Sequence, residues 1–212
     1  MSEARGTALD TETARGFVHE PAEPSGAGLV LTHGAGSDCT APLLIAVASA
    51  FCERGITVLR CDLAFRRKRP KGPPSPTTAA ADRAGLRDAV AALREHVSGE
   101  VYLGGHSYGG RQASMLAAET RDIAAALLLL SYPLHPPNKP AQLRTQHFSL
   151  LRVPALFVSG TADGFGSVAE LQAAITAIPA PTRLIAVEGA GHDLKRGRFS
   201  LASLPDALSE LT

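Results

Sequence analysis

The sequence predicts an α/β fold: a single, mainly parallel sheet with helices on both faces. Short apolar runs of strand length alternate with longer amphipathic stretches from residue 29 onward, the trace that a parallel sheet with crossover helices leaves in sequence. The 212 residues are 45% hydrophobic and 19% charged with a formal charge of +1, an ordinary globular balance. At about 100–200 residues per domain, this length houses one compact domain over 1–212, with 1–15 expected as a flexible N-terminus.

Residues 29–32 read as a buried strand, followed by a Gly-rich turn and a helix over 42–54, with Pro42 near its start and Gly55 past its end. Strand returns at 56–60. Arg66, Arg67, Lys68, Arg69 and Lys71 then sit together before Gly72, Pro73, Pro74 and Pro76, a composition that reads as a loop. Charge runs commonly form a solvated surface. The sharper reading is an anion-recognising rim, because loops at the carboxyl ends of parallel strands surround the ligand crevice. Over 77–97, Leu86, Val90, Leu93 and Val97 recur at steps of three and four, one face of a helix stopped by Gly99.

Residues 101–105 form the next strand, with a helix starting near Gly109. A strand at 126–131 is prevented from continuing by Pro133, Pro136 and Pro137. After a strand at 155–159, Ser167 and Glu170 have capping-box spacing, and Val168, Leu171, Ile175 and Ile178 supply the stripe of the helix they open. Residues 183–187 close the sheet. The last helix begins after Ser203, with Pro205 in its first turn and Leu204, Leu208 and Leu211 facing inward.

Several function classes drop out. The longest purely apolar run, 123–130, has eight residues, against the roughly 20 that a membrane-spanning helix needs. The first sixteen residues mix both charges and lack the apolar stretch of a secretion signal. Cys39, Cys52 and Cys61 have no Cys-x-x-Cys spacing, so neither a disulfide framework nor a metal site is suggested, and a reducing cytoplasm is the expected setting. Nucleic-acid binding rests on the basic run alone and is the weakest option.

The chemistry concentrates in Gly105-His106-Ser107-Tyr108-Gly109, a Gly-x-Ser-x-Gly motif lying directly between a strand and a helix. The turn is so tight that a side chain two places either side of the serine would strike the neighbouring element, and Ser107 is pushed out. A serine hydroxyl must lose its proton to a base as it attacks, so a histidine held by a carboxylate is needed. Asp163, just past the 155–159 strand, is the candidate acid, and His192, after the next strand, the candidate base. Asp62 and Asp193 are rival carboxylates.

The oxyanion formed on attack needs preorganised backbone N–H donors. The amide of Tyr108 is one. Ala35, in Thr32-His33-Gly34-Ala35-Gly36 at the end of the first strand, is the expected second donor, with Gly36, one position on, as the alternative. His33 is expected to brace that loop, and His106 to be a packed or loop-contacting imidazole; both border the expected substrate site. His19 and His96 read as surface residues. His135 and His147 lie between strands where a pocket wall is expected.

On these motifs the chain resembles the α/β-hydrolase superfamily. It is most similar to the small dienelactone-hydrolase-like proteins related to the testis-expressed and NSL-complex-subunit group. The likeness is carried by Leu31-Thr32-His33-Gly34-Ala35-Gly36, Gly104-Gly105-His106-Ser107-Tyr108-Gly109-Gly110, Val158-Ser159-Gly160-Thr161-Ala162-Asp163 and Gly189-Ala190-Gly191-His192-Asp193. Phe65-Arg66-Arg67 and Leu134-His135-Pro136-Pro137 also match. The resemblance implies an α/β-hydrolase domain with catalytic Ser107, Asp163 and His192. The chain is short for the superfamily: the usual first antiparallel strands are represented only near 17–19, and 21 residues between Ser131 and Val153 are too few for a lid domain. Ordinary dienelactone hydrolases use a cysteine nucleophile where this chain has Ser107, so that specific activity is not implied. The expected activity is cofactor-free cleavage of a small ester, thioester or lactone, with no membrane or nucleic-acid partner. Arg66, Arg67 or His135 would favour an acidic substrate or line its pocket. Because the group includes assembly subunits, the alternative is a hydrolase-like interaction module with a weak or inactive triad.

Overall fold

The computed structural model describes residues 6–195 and 199–212. Eight strands form one sheet in the order β1-β2-β4-β3-β5-β6-β7-β8. These are β1 (Thr7–Asp10), β2 (Arg15–His19), β3 (Gly28–Thr32), β4 (Thr57–Cys61), β5 (Val101–His106), β6 (Leu127–Leu130), β7 (Ala155–Gly160) and β8 (Thr182–Val187). From β4 to β8 every neighbour is parallel, while β1 and β2 add antiparallel at one edge.

The central strands β3 to β7 are buried along almost their whole length and mostly apolar, because a parallel sheet covered on both faces alternates between two buried sides. Val30, Leu59, Leu103, Leu129 and Phe157 pack on one face. There they meet α3 (Ala79–Arg94), α4 (Tyr108–Glu119) and α5 (Val168–Ile175) through Leu86, Val90, Leu116 and Leu171. Leu31, Val58, Leu128, Leu130 and Val158 pack on the other. Their partners are α1 (Pro42–Cys52) and α6 (Leu204–Ser209), through Leu44, Phe51, Leu204 and Leu208. The expected capping box at α5 forms in full: Ser167 Oγ accepts from the Glu170 amide, and the Glu170 carboxylate accepts from the Ser167 amide. Among the described residues no helix is long and apolar enough to cross a membrane.

Three expectations are corrected here. Of the segment expected to be flexible, 1–5 lies outside the described residues, but Thr7–Asp10 is a strand paired with β2, so two antiparallel strands precede the parallel sheet. The signal was faint because β1 is exposed at all but Leu9 and shows no period-two pattern. The basic run expected as a loop begins as a five-residue helix, α2 (Ala64–Lys68). His19, expected at the surface, is buried and accepts from Arg60 Nε at 2.7 Å.

Candidate active site

Four segments leave the sheet at the carboxyl ends of parallel strands, and parallel order puts them on one rim. Ser107 follows β5, the 33–36 loop follows β3, Asp163 follows β7 and His192 follows β8. Ser107 sits at φ 52°, ψ −117°, ahead of the first turn of α4. A left-handed backbone at a serine costs on the order of 1–3 kcal/mol and persists because its neighbours over-determine it. A Cβ on Gly109 would lie 2.5 Å from the His33 carbonyl oxygen, and one on Gly105 2.8 Å from that of Thr32. The elbow therefore tolerates only hydrogen at these two positions.

The three side chains meet. Ser107 Oγ lies 2.7 Å from His192 Nε2, and His192 Nδ1 lies 2.8 and 3.0 Å from the two oxygens of Asp163. A carboxylate accepts only, so Nδ1 carries the proton and Nε2 is left to accept from the serine hydroxyl. Asp163 is buried, and its Oδ1 also accepts from the Phe165 amide at 2.8 Å. The Phe165 ring stacks on the His192 imidazole at 4.1 Å. His106 Nε2 donates to the His192 carbonyl at 2.8 Å, tying the elbow to the histidine loop. The rival acids are engaged elsewhere. Asp62 accepts from Arg15 and the Cys39 amide, while exposed Asp193 accepts from the Lys195 amide.

The Tyr108 amide opens α4, where first-turn N–H groups have no intrahelical acceptor. Its ring is clamped by buried Asp82, which accepts from the Tyr108 hydroxyl at 2.7 Å. His33 is fully buried; its Nδ1 donates to the Gly34 carbonyl at 2.8 Å, while Nε2 accepts from the Leu63 amide at 3.1 Å. Because a peptide unit is planar and trans, fixing the Gly34 carbonyl turns the Ala35 N–H the opposite way. Ala35 shares a cavity wall with Ser107 and Tyr108, whereas Gly36 is exposed and lies outside that wall.

That cavity, about 470 Å³, is walled further by Pro74, Met115, Pro133, Phe165, Arg111 and Arg144. A larger one of about 690 Å³, lined by Ala117, Arg121, Leu150 and Pro154, lies where β6 and β7 begin, at the opposite end of the sheet from the serine.

The substrate-contact expectations are corrected. Arg66 is buried, and its guanidinium donates to the carbonyls of Ser37 and Ala35 at 2.9 Å each, and of Gly72 and Arg69 at 3.2 and 3.3 Å. Arg67 donates to the carbonyls of Thr11, Glu12 and Thr13, closing the β1–β2 turn. His135 is buried with Nδ1 on the Pro136 carbonyl, and His33, His106 and Gly36 also stand outside the cavity wall. Arg111 and Arg144 were missed. Arg111 stands one helical turn past the serine, a spacing that could have drawn attention to it.

Burial holds the imidazoles of His33 and His106 below the ordinary histidine range. His147, paired with Ser114 Oγ at 2.8 Å, is pushed down to about 4, by burial first and then by the cations of Arg111 and Arg83. Their folded-state values lie below the unfolded value, so the unfolded chain binds more protons as the medium acidifies. Stability is fully present above about pH 6.5 and is lost as pH falls toward about 4. The urea midpoint is expected to drop between pH 7 and pH 4.5, and less steeply in His147→Gln. Identical pH dependence in the two proteins would refute this assignment for His147.

A family model described as an alpha/beta hydrolase domain matches residues 25–212. Among solved structures, dienelactone hydrolase from Anabaena variabilis superposes with a TM-score of 0.73 at 19% identity, over 99% of this chain and 97% of its own. Est1E from Butyrivibrio proteoclasticus gives 0.73 at 17%, over 97% and 96%. An α/β serine hydrolase without lid from Xanthomonas campestris gives 0.70 at 19%, over 99% and 94%. At such identities these likenesses speak to the fold.

Proposed function

The chain belongs to the alpha/beta hydrolase domain family, and from that premise we propose that it is a serine hydrolase cleaving a small ester, thioester or lactone through an acyl-enzyme on Ser107. The observation that carries this reading is the unbroken hydrogen-bond line from Ser107 Oγ through His192 to Asp163. His192 Nε2 takes the serine proton as Oγ attacks the carbonyl, then returns it to the departing alcohol or thiol. Asp163 holds the tautomer and stabilises the imidazolium. The amides of Tyr108 and Ala35 meet the oxyanion, each donor contributing about 3 kcal/mol to lowering the barrier. Water then enters, His192 takes its proton, and the acyl group leaves as an acid.

A fluorophosphonate probe tests the reading, because it reacts only with a serine whose proton is being removed. Wild-type protein is expected to label stoichiometrically and Ser107→Ala not at all. A folded wild-type protein that resists the probe would overturn the proposal in favour of an interaction module.

A further inference from the structure

We infer that the cavity beside Ser107 receives an acyl group ending in a carboxylate, held between Arg111 and Arg144; this rests on the serine-hydrolase reading for its chemistry but not for its binding. The cavity wall carries two guanidinium groups and, among its described residues, no Asp or Glu. Neither arginine forms an ion pair among the described residues. Arg144 makes one weak side-chain bond, to the Pro133 carbonyl at 3.3 Å, and the Nε of Arg111 is buried with no hydrogen-bond partner.

Two like charges sharing a partly enclosed wall repel. Burial first, and then Arg111, holds the Arg144 guanidinium below its ordinary range. An arriving anion offsets both effects, and it accepts charge-assisted hydrogen bonds for which the protein supplies no acceptor among the described residues.

Gln112 supplies the independent sign. It lines the same cavity and is fully buried, with its Oε1 accepting from Arg83 at 3.1 Å while its Nε2 has no partner. A buried amide donor left open next to two cations is a set of donors without an acceptor. A carboxylate oxygen is the complement of that set, whereas a neutral chain would leave it unsatisfied and a cation would be repelled. The remaining wall, with Pro74, Met115 and Phe165, is apolar and suits the methylenes joining the carboxylate to the reacting carbonyl. A volume of about 470 Å³ accommodates such a chain readily.

The test compares mono-p-nitrophenyl adipate with p-nitrophenyl hexanoate, which share chain length and leaving group and differ at the far end. Wild-type protein is expected to prefer the adipate ester in kcat/KM by about ten- to a hundredfold. That ratio should collapse in Arg111→Gln and in Arg144→Gln, but persist in Arg121→Gln, whose arginine lies at the other end of the sheet. Free adipate, titrated calorimetrically into wild-type protein and Ser107→Ala, is expected to bind both and to lose affinity with either cavity arginine. Turnover that favours the hexanoate, together with no adipate binding, would overturn this inference and leave the hydrolase reading intact. Adipate binding without turnover or probe labelling would do the reverse. Because wild-type preference and binding decide the matter, a variant that fails to fold does not shelter the proposal.

Discussion

Replacing Asp163 by asparagine is expected to lower kcat by about four orders of magnitude while the protein stays folded. The reason lies in which atoms carry protons. Asp163 Oδ1 accepts from the Phe165 amide, and the carboxylate as a whole accepts from His192 Nδ1–H. An asparagine keeps its carbonyl oxygen on Phe165 and turns its NH2 toward the imidazole. Nδ1 must then accept, the proton moves to Nε2, and the nitrogen facing Ser107 Oγ at 2.7 Å has no lone pair to offer. Ground-state packing barely changes, since the Phe165 ring still stacks on the imidazole. Steady-state kinetics on a p-nitrophenyl ester, with a thermal melt alongside, separates the outcomes. A loss smaller than tenfold in a folded protein would mean that Asp163 does not set the tautomer.

How much of this was legible in the sequence follows from the range of each interaction. Strands β3 to β7 announce themselves because a strand covered on both faces is predominantly apolar, and the elbow because its Gly-x-Ser-x-Gly pattern is complete within five residues, although its glycines also make room for the carbonyls of Thr32 and His33. The positions of Asp163 and His192 follow from strand ends, since parallel order sends every carboxyl end to one rim. Arg66 was misread because its partners, the carbonyls of Ala35 and Ser37 in one loop and of Gly72 in another, are brought to it by the fold, and nothing local distinguishes a buried guanidinium from a solvated one. Arg67 was misread likewise, and β1 with it, because the turn it closes is held from 54 to 56 residues away. Arg111 and Arg144 come together only because the segment between β6 and β7 folds back over α4, a closure that no periodicity records.

Arg66→Met is expected to lower kcat about a hundredfold with KM nearly unchanged. The methionine keeps the apolar stem and removes every donor. In the intact protein Nε and Nη2 hold the Ser37 and Ala35 carbonyls at 2.9 Å, while His33 holds the Gly34 carbonyl. The loop is thus fixed at the carbonyls of Gly34, Ala35 and Ser37, and each fixed carbonyl sets the direction of the amide that follows it. Without the guanidinium, the Ala35 and Ser37 carbonyls turn toward water and the segment just past Ala35 loosens, so the Ala35 N–H, now held only through the Gly34 carbonyl on His33, is less sharply fixed where the oxyanion forms. Substrate in its ground state makes little use of that donor, so the loss appears in kcat. Arg66→Lys should behave like Met in this respect, because a single ammonium cannot span two carbonyls as the planar fork does. A merely structural arginine would give a lower melting temperature with kcat preserved below the melt. A variant that raises KM instead would return Arg66 to the role of a substrate contact.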